Sequence, residues 1–266
     1  MKFNLTATAF LLAALTLTAR AGTDSKDMKD FKGMAPAMVT DAGPYVAVYG
    51  GADFSNSYGD KKTVVSNPGG GSAFVSPGHV HSGPGGVGGL KVGYNFTSFP
   101  IGSSLRIQPA VEAEALYLGA NAHANLGGEF TGLRENTSYN NGAFFVNGIF
   151  RLKSSSPFTP YIGAGIGAEY LTTHTGLNVG SSSDAIFTGM GGTSLDFAAQ
   201  ALGGFDISLS RHWSIFTEYK FIDAVGTDLK SPDIRNASGG NSGLDYYSKG
   251  DQIAQQVATA GLKYSF

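Results

Sequence analysis

The chain has 266 residues, a formal charge of −2, a mean hydropathy of −0.03 and no cysteine. That composition excludes a disulfide-stapled scaffold, zinc–thiolate and iron–sulfur centres and a cysteine nucleophile. The slightly acidic balance gives no electrostatic footprint for nucleic acid.

In chain order, Lys2 gives a basic start, Ala7–Leu17 is a short apolar run, and Ala19-Arg20-Ala21 is an A-x-A cleavage signal. The run is too short to cross a bilayer as a helix, so residues 1–21 are predicted as a secretory signal peptide with maturation near Gly22. Losing Lys2 and Arg20 leaves 16 basic against 20 acidic residues, a charge of −4. No later stretch reaches the roughly 20 consecutive apolar residues of a membrane helix, but alternating barrel strands average to near-neutral hydropathy and escape that test. Thr23–Ala42 carries charges of alternating sign, so residues 22–43 are expected to form a flexible leader ahead of a folded domain over 44–266.

Within that domain the spacing predicts eight strands. The first covers about Pro44–Phe54 and the second Gly86–Phe96, with Leu90, Val92, Tyr94 and Phe96 on one face. The third, Leu105–Leu118, opposes Ile107, Val111 and Tyr117 to Arg106, Gln108, Glu112 and Glu114. The fourth is Ala143–Lys153, the fifth Thr159–Leu171, the sixth Leu195–Leu209 and the seventh Trp213–Asp223, where Trp213, Ile215, Tyr219 and Phe221 face away from Ser214, Glu218 and Lys220. The eighth, Ile253–Phe266, places Ala258, Ala260, Leu262, Tyr264 and Phe266 on an apolar side that ends in an aromatic. Most have the 9–11 residues that a tilted membrane strand needs, or slightly more.

Connection lengths decide the architecture. Thr97–Ser104, Ser154–Phe158 and Ser210–His212 are short, whereas Ser55–Gly85, Gly119–Asn141, Thr172–Thr193 and Ala224–Asp251 are long and rich in Gly, Ser and Asn. Long and short alternate strictly, beginning with long. This is the plan of an all-β, eight-stranded antiparallel up-and-down transmembrane barrel, with four long extracellular loops and three short periplasmic turns. A water-soluble sandwich predicts no ordering of connection lengths, and a lipocalin-type barrel inverts the faces. The polar faces carry Lys91, Arg106, Arg151, Lys220 and Lys263 as bases and Asp53, Glu112, Glu114, Glu169, Asp206 and Glu218 as acids. Enclosed charges are expensive unless paired, so this nearly balanced set predicts ion pairs across the barrel interior. Aromatics such as Tyr45, Tyr94, Phe158, Tyr161, Trp213 and Tyr264 are expected to form a girdle at the short-turn end, with Tyr117, Tyr170 and Phe221 near the other.

Thr159-Pro160-Tyr161-Ile162-Gly163-Ala164-Gly165-Ile166-Gly167, Ala198–Phe205, Phe216-Thr217-Glu218-Tyr219 and Gly261-Leu262-Lys263-Tyr264-Ser265-Phe266 resemble strands of the OmpA-like and opacity-type outer-membrane barrel proteins. The resemblance spans about Pro44–Phe266. It implies a Gram-negative-type outer-membrane location, surroundings that include lipopolysaccharide, and an assembly machinery that reads the last strand. Leu262, Tyr264 and Phe266 would then be the assembly signal. The loops would be free to meet an extracellular ligand or surface, and no peptidoglycan-binding domain is expected after Phe266.

Candidate chemistry is thin. Gly163-x-Gly165-x-Gly167 and Gly85-Gly86-x-Gly88-Gly89 run on into strand, whereas a dinucleotide loop needs a following helix. His79 and His81 lack a third metal ligand at a fixed spacing. His212, Ser214 and Glu218 echo a lipid-hydrolase strand motif, but Glu218 lies about 13 Å from Ser214 along an extended strand, too far to orient the histidine. No catalytic, cofactor or metal residues are therefore assigned. The expected function is a structural or surface-interaction role of adhesin or antigen type, with a narrow porin-like channel for small solutes or ions as the alternative. Deleting Phe266 is expected to reduce the yield of assembled barrel, read as heat-modifiable gel mobility in membrane fractions. Normal assembly of the truncated chain contradicts an assembly role for that residue.

Overall fold

The computed structural model describes residues 42–54, 62–66, 72–75, 77–82, 84–126, 132–179, 185–225, 228–231, 235–236, 245–249 and 253–266. The predicted signal peptide, and the predicted leader up to residue 41, lie outside them. Eight strands carry the architecture: β1 (Gly43–Asp53), β2 (Gly85–Asn95), β3 (Arg106–Leu126), β4 (Leu133–Lys153), β5 (Phe158–Val179), β6 (Ala185–Ser208), β7 (Trp213–Val225) and β8 (Ile253–Ser265). Each pairs antiparallel with its sequence neighbours. The last strand then pairs antiparallel with the first, from Tyr45 opposite Ser265 to Asp53 opposite Val257. The ring is closed, and closure removes the unpaired edges that an open sheet exposes.

Which face turns inward follows from charge. On β2, Lys91 is 3% exposed between Leu90 at 61% and Val92 at 59%. The same inversion holds on β5, where Ile162 and Ile166 point out and Glu169 points in. An apolar outer wall around a polar interior is stable only where hydrocarbon, and not water, solvates the outside. The barrel therefore spans a bilayer. Two inward glycines on β2 make room for what the interior holds: a Cβ at Gly93 or Gly89 would collide with the rings of Tyr45 and Tyr49, which lie across them from β1.

The strands differ in length. β1 and β2 have 11 residues and β7 and β8 have 13, whereas β3 to β6 have 21 to 24. Eleven residues at about 3.3 Å each and a tilt of roughly 40° give a height of about 28 Å, close to the apolar band of an outer-membrane barrel. The longer strands rise well past it, and the outer wall records where. Tyr117, Gly142, Tyr170 and Leu195 form one cross-strand row and are the last apolar row facing out. The row above is Gly119, Asn140, Thr172 and Thr193, and the next is Asn121, Ser138, His174 and Gly191. Tyr117 donates to Asn140 Oδ1 at 2.6 Å, and Ser138 to Asn121 Oδ1 at 2.9 Å.

Two of the expected long loops are thus largely paired strand. Gly119–Asn141 and Thr172–Thr193 read as loop because they lack apolar alternation, but above the bilayer water solvates the outer wall and strand pairing needs no apolar face. The other two long connections contribute Lys62–Ser66, Ser72–Val75, Asp228–Ser231 and Asp245–Lys249 to a separate four-stranded antiparallel sheet. Pro77–Ser82 pairs with the upper end of β3, and Arg235–Asn236 with that of β6.

At the opposite end the turns are tight. Leu209 N donates to Trp213 O at 2.9 Å, and Ile101 N to Leu105 O at 2.9 Å in a turn whose Gly102 has φ +131°. Trp213, Tyr264 and Phe266 stack edge to face there, with ring centroids 5.0 and 5.1 Å apart. Replacing Ile166 by Arg, on the hydrocarbon face, is expected to cost about 2–4 kcal/mol of unfolding free energy in urea titrations of the vesicle-folded barrel. A change near zero contradicts the assigned facing.

Candidate functional site: the barrel interior

Alternation along the strands brings four bases and four carboxylates into one enclosed network. Lys91 on β2, Glu112 and Glu114 on β3, and Glu218 and Lys220 on β7 form its centre. Lys91 Nζ lies 2.8 and 2.9 Å from the two oxygens of Glu218 and 3.1 Å from Glu112 Oε1. Lys220 is paired with Glu114 and lies 3.1 Å from Glu218 Oε1. The remaining carboxylate lone pairs are taken by neutral donors: Tyr49 OH to Glu114 at 2.5 Å, Gln200 Nε2 to Glu114 at 2.8 Å, Asn147 Nδ2 to both glutamates of β3, and Tyr161 OH to Glu218 at 3.1 Å. The side chains of Glu114 and Lys220 have no exposed surface.

Towards the short-turn end, Asp206 on β6 accepts from Lys263 Nζ at 2.5 Å and from Arg151 Nε at 3.3 Å. Tyr45 joins the two groups, since its hydroxyl donates to Glu112 Oε2 at 2.9 Å and accepts from Arg151 Nη2 at 3.2 Å. The guanidinium also donates to Asn95 Oδ1 at 3.0 Å and stacks over the rings of Tyr45 and Tyr161. The centre has three carboxylates to two ammonium groups and the lower group two cations to one carboxylate, so each is compensated only through the other. On the far side of the centre, Leu118, Ala143, Phe145, Ala198, Ile222 and Val257 belong to a buried apolar layer. Beyond it Glu169 accepts from Asn141 and Gln255.

Of the ten interior charges expected from sequence, Lys91, Glu112, Glu114, Arg151, Asp206, Glu218, Lys220 and Lys263 meet in this network. Glu169 is enclosed but apart from it. Arg106 is exposed, at the first position of β3, where the wall has ended; its guanidinium reaches Ser98 O at 3.4 Å. Tyr45 and Tyr161, expected in the girdle, are buried inside and hold the network together. The facing of Tyr45 was hidden because both faces of β1 are apolar in sequence, whereas Ala47 opposite Lys91 fixes it at once.

Leu262 and Phe266 are exposed on the outer wall and Tyr264 is half-buried beside Trp213. The hydrolase-like residues do not converge. Ser214 faces inward, Glu218 is occupied by Lys91, and the His212 ring is exposed and meets Ser265 O at 2.8 Å. Both glycine phrases lie within strands, and His81 falls opposite His123 in strand register. Among the described residues no three His, Asp or Glu side chains group as metal ligands.

No family model and no curated protein matches the chain. In fold it is similar to the outer membrane protein OprG from Pseudomonas aeruginosa, at 15% identity over 86% of this chain and 99% of that one, with a TM-score of 0.48. It is also similar to the outer membrane protease OmpT from Escherichia coli (7% identity, 88% and 99% covered, TM-score 0.42) and to Neisserial surface protein A (15%, 85% and 100%, TM-score 0.37). Identities this low carry no activity from those proteins to this chain.

Removing one partner from the network leaves a buried, uncompensated charge. Lys220→Met is expected to cost about 3–5 kcal/mol of stability in vesicle urea titrations, and adding Glu114→Gln to recover much of that loss. Equal stability of the single variant and the parent contradicts the pairing.

Proposed function

We propose that the chain is an outer-membrane barrel with a sealed interior, whose work is done by what it holds beyond the membrane: a structural or surface-interaction role of adhesin or antigen type. The observation that carries this reading is the interior. Its charges are neutralised by each other and locked by tyrosine, asparagine and glutamine donors, and the apolar layer follows directly. A solute would have to replace several charge-assisted hydrogen bonds at once and then cross a layer that offers it none.

In this reading the tight turns and the Trp213, Tyr264 and Phe266 cluster face the periplasm, and the extended β3–β6 wall and its neighbouring connections face outside. Residues 1–21 direct export, the assembly machinery reads Leu262, Tyr264 and Phe266, and outer-leaflet lipid, lipopolysaccharide included, surrounds the apolar wall. The polar rows from Asn121, Ser138 and His174 upward are presented for contact with an extracellular ligand or surface. The chain is not an enzyme in this reading, because every central carboxylate is engaged and His212, Ser214 and Glu218 do not converge.

Planar-bilayer recording tests the sealed interior. Purified, folded protein is expected to give no reproducible conductance steps. Stable, ion-selective channels would overturn the proposal in favour of a narrow pore.

A further inference from the structure

The carboxylates of the central network are compensated by bases; among the described residues Glu169, beyond the apolar layer, is held by amides alone. Glu169 is 2% exposed and Asn141, beside it, 1%. Glu169 Oε1 accepts two amide hydrogens, from Asn141 Nδ2 and Gln255 Nε2, each at 2.7 Å. Its other oxygen, Oε2, has no hydrogen-bond partner, and neither has Asn141 Oδ1. The amide orientation is not free to change, because turning Asn141 over would set its oxygen against the carboxylate. Directly across the ladder, β6 places Asp196 opposite Glu169. Asp196 accepts from Ser194 Oγ at 2.7 Å, a neutral donor.

Among the described residues the arrangement is therefore rich in acceptors, and no base is paired with Glu169 or Asp196. Like charges opposite each other on one sheet face repel, and a buried carboxylate without a cation is costly. The unpartnered amide oxygen is an independent sign: it belongs to a neutral side chain, is enclosed, and is held at the cluster by its own Nδ2. All the donors offered are oxygens, with no imidazole or sulfur among them, which is the preference of a hard cation.

We propose that Glu169, Asp196 and the Asn141 amide oxygen form a binding site for a hard divalent cation of the calcium class on the side of the apolar layer away from the tight turns. Two carboxylates and one amide supply only part of the roughly six to eight oxygens that calcium takes, so the site is weak, with a dissociation constant on the order of 10⁻⁴–10⁻³ M. The rival is a proton on Glu169 Oε2, donated to Asn141 Oδ1, which would satisfy the same two atoms without a metal.

Calcium chloride titrated into the full chain, folded in detergent micelles free of lipopolysaccharide, distinguishes them. Calorimetry is expected to show about one site per chain, with a calcium-dependent rise in the temperature at which the folded gel band is lost. Glu169→Gln and Asp196→Asn are each expected to weaken binding roughly tenfold or more. Heat-modifiable mobility reports whether each variant is folded, and the less enclosed Asp196 supplies the test if the Glu169 variant does not assemble. The proposal is overturned by a wild type with no calcium response, by equal binding in a folded variant, or by a thermal shift that follows pH and ignores calcium.

Discussion

Enclosing charge away from water is the constraint on which this barrel depends. An unpaired ion enclosed there would lose its hydration, so the charges that the strands turn into the centre of the barrel are held against their opposites. Four bases and four carboxylates do so, and they do it as one unit. The central glutamates outnumber their lysines by one, the Arg151 and Lys263 cations outnumber Asp206 by one, and Tyr45 bridges the two groups. This coupling also fixes strand register. A one-residue slip of β2 would carry Lys91 into hydrocarbon and Leu90 into the network, a double penalty that no neighbouring register escapes.

The same inversion organises the wall. Where hydrocarbon surrounds the barrel the outer residues are bulky and apolar; within two rows above Tyr117, Tyr170 and Leu195 they become Gly, Asn, Thr, Ser and His while the strands stay paired. Half the circumference continues into water as a tall curved sheet on β3 to β6. The other half stops at the bilayer, and the connections that leave it pair with one another in a second sheet. A paired wall on one side and connections that pair with each other on the other make the two halves of this end unlike.

Most of the membrane part was legible because period and solvent agree there. Lys91 between Leu90 and Val92 fixes a face without ambiguity, and so does Lys220 between Tyr219 and Phe221. Two kinds of residue were not legible. Tyr45 and Tyr161 are amphipathic, and in sequence a tyrosine that caps a buried carboxylate looks the same as one that anchors to headgroups. The extensions over Gly119–Asn141 and Thr172–Thr193 have polar residues on both faces, so the alternation that marks a strand vanishes although the strand does not. Arg106 shows the opposite limit: its parity is that of the inner face, but the wall ends before it, and only the position of the turn could reveal that.

The most direct test of the central claim is a double-mutant cycle on Lys91 and Glu218, from urea unfolding of Lys91→Met, Glu218→Gln and the combined variant in lipid vesicles. Locked pairing predicts a coupling energy near the upper end of the range of about 0.5–3 kcal/mol seen for contacting residues. Additive losses, with a coupling near zero, would contradict it.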